Sequence, residues 1–216
     1  MGTDIRFRVG KTSSEFERYD GAYIFEGEFK RGFAIGKRQL VLTDVTADGF
    51  YNDGELFGGK VIAKASYHWQ NFERGQFFIE LTEGRGYGMF EELPLELGGD
   101  TGLRGYPARY QAGDHLQLIN IEQRYFGEKE WFSLFHLGAA VFYDQGRAYG
   151  DNPIPATELG WLRNVGIGLR VSGTRTGNRE EGAHNILHID VGYPLDVDEV
   201  KDIDKVQLLV GVKKQF

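Results

Sequence analysis

The sequence predicts an all-β protein, an antiparallel transmembrane β-barrel of about ten strands, with eight to twelve compatible with the spacing. Three observations carry this. Hydrophobicity alternates with a period of two in ten separate segments, as in strands with one apolar and one polar face. Glycine supplies 31 of the 216 residues, Phe 16 and Tyr 11, a composition that suits twisted strands and makes poor helices. No run approaches the roughly 20 apolar residues that a membrane helix needs, whereas barrel strands alternate apolar-out with polar-in and need no such run.

The elements follow in order. The first sets Ile5, Phe7 and Val9 against Arg6 and Arg8. In 22–33, Tyr23, Phe25, Gly27 and Phe29 alternate with Ile24, Glu26, Glu28 and Lys30. Segments 39–46, 60–69 and 76–87 come next. After a glycine-rich interval come 116–126, 131–143, 164–172, 185–193 and 205–216. No segment of a dozen residues shows a capped helical period. The joins 34–38, 70–75 and 127–130 are short, and 47–59, 88–115, 145–163 and 194–204 are long. Such alternation gives one rim tight turns and the other rim loops, as in outer-membrane barrels. The join 173–184 breaks the pattern.

A soluble β-sandwich also has strands with one apolar and one polar face. The aromatics separate the two architectures. Trp69, Phe72, Tyr125, Phe126, Trp131, Phe132 and Phe216 cluster at the short-turn ends, and Phe50, Tyr51, Tyr87, Tyr143 and Tyr149 lie near the long-loop ends. Two aromatic bands at opposite strand ends match the girdles of a membrane barrel. The chain is read as one domain, 1–216.

With 25 basic and 32 acidic residues the net charge is −7, which argues against nucleic acid as a partner. Cysteine is absent, so there is neither a disulfide framework nor a thiolate metal site. His136, His188, Asp144 and Asp190 fall on polar faces, but no spacing fixes a metal or hydrolytic site. The five acids of 196–204 read as a solvated loop. We therefore expect no enzyme activity, no cofactor and no metal. The start Met1-Gly2-Thr3-Asp4 has neither the basic nor the apolar part of a signal peptide, so export implies a signal that this chain does not carry.

The most informative stretch runs from Leu97 through Gly98, Gly99, Asp100, Thr101, Gly102, Leu103, Arg104, Gly105 and Tyr106 to Pro107. Its glycines permit close backbone approach, and Arg104 offers a rigid fork of five donors suited to carboxylates. Gly98-Gly99-Asp100 followed by Leu103-Arg104-Gly105-Tyr106 resembles the sixth-loop signature of the BamA-type outer-membrane superfamily, the bacterial surface antigen barrels. Glu122 to Phe126, Val141 to Tyr149, Val165 to Arg170 and His188 to Leu195 resemble the strands that follow it, so the likeness covers about 75–216. Phe216, closing an alternating strand with Leu208, Val210 and Val212, resembles the C-terminal assembly signal of outer-membrane proteins.

The resemblance implies that Arg104 lies inside the barrel and pairs with acids on the two following strands, at the positions of Glu122 and Asp144. It implies an outer-membrane protein of a Gram-negative bacterium, embedded in lipid and inserted by the barrel-assembly machinery. Its role would be non-enzymatic: insertion or translocation of proteins or lipids, or passive transport. The alternatives are a small outer-membrane enzyme and a soluble β-sandwich binding module. Family barrels have sixteen strands and periplasmic receptor domains, and neither is legible here. An eight-stranded barrel is filled by its own side chains, so a closed ten-stranded one is expected to exclude loop 88–115. Either that loop caps a narrow barrel or two chains close a wider one. A homodimer is expected in both cases.

Overall fold

The computed structural model describes residues 2–13, 21–89, 94–132, 134–150, 160–173, 184–196 and 205–215. The strands are β1 (Thr3–Lys11), β2 (Tyr23–Ala34), β3 (Gln39–Asn52), β4 (Glu55–Phe72), β5 (Gly75–Tyr87), β6 (Leu95–Leu97), β7 (Gln111–Gly113), β8 (His115–Trp131), β9 (Phe135–Tyr149), β10 (Leu162–Gly173), β11 (His184–Pro194) and β12 (Gln207–Gln215). Ten of them form one sheet in the order β1-β2-β3-β4-β5-β8-β9-β10-β11-β12, each pair antiparallel. β6 and β7 form a small hairpin inside the long connection between β5 and β8.

All ten expected strands are present, but three expectations need correction. The sheet is open: among the described residues β1 pairs only with β2, and β12 only with β11. The segment 47–59 is a hairpin and not a long loop. Asp53 (φ 50°) and Gly54 (φ 89°) both lie in the left-handed region, the requirement of a two-residue turn that matches strand twist. Asp-Gly is the sequence signal for that turn, and Asp48, Gly49 and Asn52 break the alternation that leads into it. Third, 127–130 is strand. β8 continues through an irregularity between Phe126 and Glu130 to Trp131, and β9 starts at Phe135. The joins 14–20, 174–183 and 197–204, and Phe216, lie outside the described residues.

The two faces differ sharply. One cavity of about 1090 Å³ is lined by residues of β3, β4, β5, β8, β11 and β12, so the sheet curls around it. Even-numbered positions 116–124 of β8 and 138–148 of β9 face inward and are buried. The opposite face is apolar and uncovered. Ile5, Phe7, Leu81, Val141, Ile167, Val191 and Val210 are exposed across the width of the sheet. Phe33, Trp69, Phe72, Tyr125 and Trp131 are exposed at one rim, and Tyr23, Tyr51, Tyr87, Trp161 and Tyr193 at the other.

The inner face has two halves. On β1–β4 it carries a ladder of exposed or half-exposed ion pairs: Arg8–Glu26, Arg6–Glu28, Lys30–Glu28, Lys30–Asp44 and Lys60–Asp48. On β8–β11 the long loop covers it.

Candidate functional site

The loop between β5 and β8 folds back onto the sheet. Leu95, Leu97, Leu103 and Tyr106 pack with Leu116, Leu118, Ala148 and Leu162 into the main apolar cluster of the inner side. Gln111 on β7 is buried; it accepts from the Ala148 amide at 3.0 Å and donates to the Gly160 carbonyl at 3.1 Å. The loop thus rests on the inner side of an open sheet; the expected exclusion of 88–115 concerned a closed ten-stranded cylinder, which this sheet does not form. The open sheet leaves room that a closed ten-stranded cylinder would not.

The glycine-rich signature makes the seat tight. The Gly98 carbonyl accepts from the Leu103 amide at 2.8 Å, and the Gly99 amide donates to the Pro107 carbonyl at 3.1 Å. Asp100 Oδ1 accepts from the Arg109 amide at 3.3 Å. Gly102 sits at φ 116°, a left-handed conformation that turns the chain inward just before Leu103. Gly105 touches the sheet so closely that a Cβ there would stand 2.4 Å from Asn164 Cβ. On the sheet side, a Cβ at Gly192 would stand 2.5 Å from the Arg104 carbonyl oxygen.

This places Arg104 in a buried ionic cluster. Its Nε and Nη2 donate to the two carboxylate oxygens of Asp144 at 2.9 and 2.8 Å, a forked pair. Its Nη1 donates to Glu122 at 2.6 Å and to Asp190 at 3.3 Å. The guanidinium lies 3.5 Å from the centre of the Phe142 ring. Arg170 donates to Glu122 Oε1 at 2.7 Å and to Asp190, and Arg124 donates to Glu122 Oε1 at 2.8 Å. Asn120 and Asn164 donate to Asp144 at 2.7 and 2.8 Å. Three guanidinium groups (Arg104, Arg124, Arg170) therefore meet three carboxylates (Glu122, Asp144, Asp190), and each of the six residues is buried.

Tyr106 is the second anchor of the loop. Its hydroxyl donates to the Arg163 carbonyl at 3.1 Å, and Arg163 forks onto Asp196. Burial, and next the nearby Asp196 carboxylate, push its phenol up to about 12. The folded state thus favours the neutral form. This support is complete below the free phenol's pKa of about 10 and fades as pH rises through about 12. Tyr106→Phe is expected to cost about 0.5–1.5 kcal/mol through the lost hydrogen bond and to remove this alkaline step. Proteolysis of the loop as a function of pH measures both.

The structure thus brings together Gly98, Gly99, Asp100, Leu103, Arg104, Gly105 and Tyr106 in one docked loop, with Glu122 and Asp144 against Arg104. The sequence reading missed the roles of Arg124, Arg170, Asn120, Asn164 and Phe142. All five face inward by alternation, so the signal was their parity. What it could not supply was the register that sets Asn164 opposite Asp144 and Phe142 opposite Glu122. His188 and Asp190 line the main cavity, whereas His136 borders a separate pocket of about 270 Å³ with Phe126 and Ser172. Among the described residues no cluster of three or more His, Cys, Asp or Glu side chains is arranged for a metal ion.

Chemically, the arrangement is a strut. Every charge is matched inside it, and each arginine is engaged by carboxylates. Compared with protein-family models, curated proteins and solved structures, the chain matches none.

Proposed function

We propose that this chain is a β-barrel protein of a Gram-negative outer membrane, of the BamA-like kind, with a non-enzymatic role in inserting or translocating proteins or lipids or in passive transport. The observation that carries the reading is the uncovered apolar outer face, continuous from Ile5 and Phe7 on β1 to Val210 on β12 and flanked by aromatics at both rims. Soluble monomers rarely leave an apolar patch of such extent in water, and lipid would cover it without penalty. The inner face supports the same reading: charged ladders on one half, and on the other a loop pinned by an arginine. Lipid is then the principal partner, and export and the barrel-assembly machinery would deliver the chain to it.

The test is fractionation followed by reconstitution. The protein is expected in outer-membrane fractions, extractable only with detergent. Proteoliposomes containing it are expected to pass small solutes or to accelerate insertion of an unfolded barrel substrate. Recovery as a folded monomer from detergent-free buffer would overturn the reading.

One contact favours a second reading, a small outer-membrane enzyme: Ser66 Oγ and His68 Nε2 lie 3.1 Å apart on the cavity wall. Labelling by a fluorophosphonate that is lost in Ser66→Ala would support it.

A further inference from the structure

We propose that two copies of this chain close each other's open sheets, β1 of each pairing antiparallel with β12 of the other, to make one barrel with ten strands from each copy. This rests on the membrane reading above, because lipid does not tolerate unpaired strand edges, each free backbone group costing several kcal/mol there.

Closure of one chain on itself is opposed by volume. The inner side already holds the β6–β7 hairpin and the Arg104 turn, and a cavity of about 1090 Å³ remains beside them. A barrel of eight strands has room for its own side chains only, and ten strands widen it little. Bringing β1 onto β12 of the same chain would narrow the inner side on which the loop rests, and a displaced Arg104 would leave Glu122, Asp144 and Asp190 short of a cation. A second copy closes the sheet without moving the loop.

Direction selects the seam. Adjacent strands alternate in direction through all ten positions, so β1 and β12 run oppositely. Two copies inserted the same way up therefore place β1 antiparallel to the partner's β12. A β1–β1 seam would be parallel between such copies, or would need one copy inverted across the membrane. Length agrees, since both edge strands have nine residues.

Face and charge select the register. Arg6 and Arg8 of β1 pair with Glu28 and Glu26 on the inner side, while Leu209 of β12 lines the inner cavity against Gly99. Matching inner to inner allows registers that differ by two residues. One sets Ile5, Phe7 and Val9 opposite Val212, Val210 and Leu208, all exposed apolar residues, and puts Asp4 opposite Lys213. The shift that moves β12 two residues along puts Arg6 opposite Lys213 instead, a like-charge pair. The opposite shift sets Asp4 against Gly211 and brings no opposite charges together between β1 and β12, so the first register is the one assigned.

The chain has no cysteine, which makes the test direct. Phe7→Cys and Val210→Cys are placed on separate, differently tagged copies, co-expressed, and oxidised in membranes. Each chain then has one thiol, so a disulfide between them can only be intermolecular. The expected result is a heterodimer band carrying both tags, with at least a tenfold lower yield for Val9→Cys with Val210→Cys or for either single variant alone. Membrane-embedded, heat-modifiable protein without that band would overturn the proposal. So would a double Phe7→Cys, Val210→Cys chain that cross-links only within itself. Either result leaves the membrane reading standing, whereas recovery of the protein in the aqueous fraction overturns both.

Discussion

Arg104→Ala is expected to release the loop from the sheet and to destabilise the folded protein by about 3–5 kcal/mol, the usual penalty for stranding one side of a buried ion pair. The variant leaves Glu122, Asp144 and Asp190 facing only Arg124 and Arg170, one buried negative charge in excess. Asp144 suffers most: it is fully buried and loses its forked partner, keeping Asn120 and Asn164. Arg104→Lys separates charge from geometry. It restores the cation but not the fork, nor the planar stacking on Phe142, so it should recover part of the loss. Limited proteolysis within residues 88–114 and heat-modifiable migration on a gel report the outcome. Full protection of the loop in Arg104→Ala would show that the apolar contacts of Leu97, Leu103 and Tyr106 suffice to hold it.

Ile167→Arg is the second large effect, and it discriminates between environments. Ile167 is 64 % exposed on the outer face of β10, opposite Val141 on β9 and Val191 on β11. For a side chain in water, a charge at so exposed a position should change stability by no more than about 0.5 kcal/mol. On the lipid face near the middle of a strand it should cost about 2–4 kcal/mol. Urea titration of refolding into lipid vesicles reads the difference. A neutral result would contradict the membrane reading at its central surface.

How far the residues themselves disclosed this arrangement varied with the physics involved. Strands were legible because a period of two is local: Val165, Ile167 and Leu169 against Gly166, Gly168 and Arg170 announce both the element and its faces. The Asp53–Gly54 turn is equally local, yet it reads as part of a loop because Asp48, Gly49 and Asn52 interrupt the alternation around Phe50 and Tyr51. The openness of the sheet was not legible. It depends on which strands meet across the whole sheet, a global property with no signature in any window. Within the site, Glu122 and Asp144 came from the likeness of an ordered set of motifs. Arg170 and Asp190 were visible only as inward-facing residues, since their pairing spans strands and is set by the sheet's register.

The ionic cluster also sets a charge balance that a strand-by-strand assembly would have to keep. Its contacts from Arg104 reach 18 residues ahead to Glu122, 40 to Asp144 and 86 to Asp190. Growing from the loop onward, a sheet that has reached β9 holds two cations (Arg104, Arg124) and two anions (Glu122, Asp144), a balanced set. Adding β10 alone would bury Arg170 with no counter-charge of its own, and adding β11 restores balance through Asp190. A neutral interior at every stage therefore requires β10 and β11 to arrive together as a hairpin. Long-range closure of this kind is slow. The arginine that looks like a static pin is thus also a timer: its contacts are complete only when Asp190, 86 residues downstream, is in place.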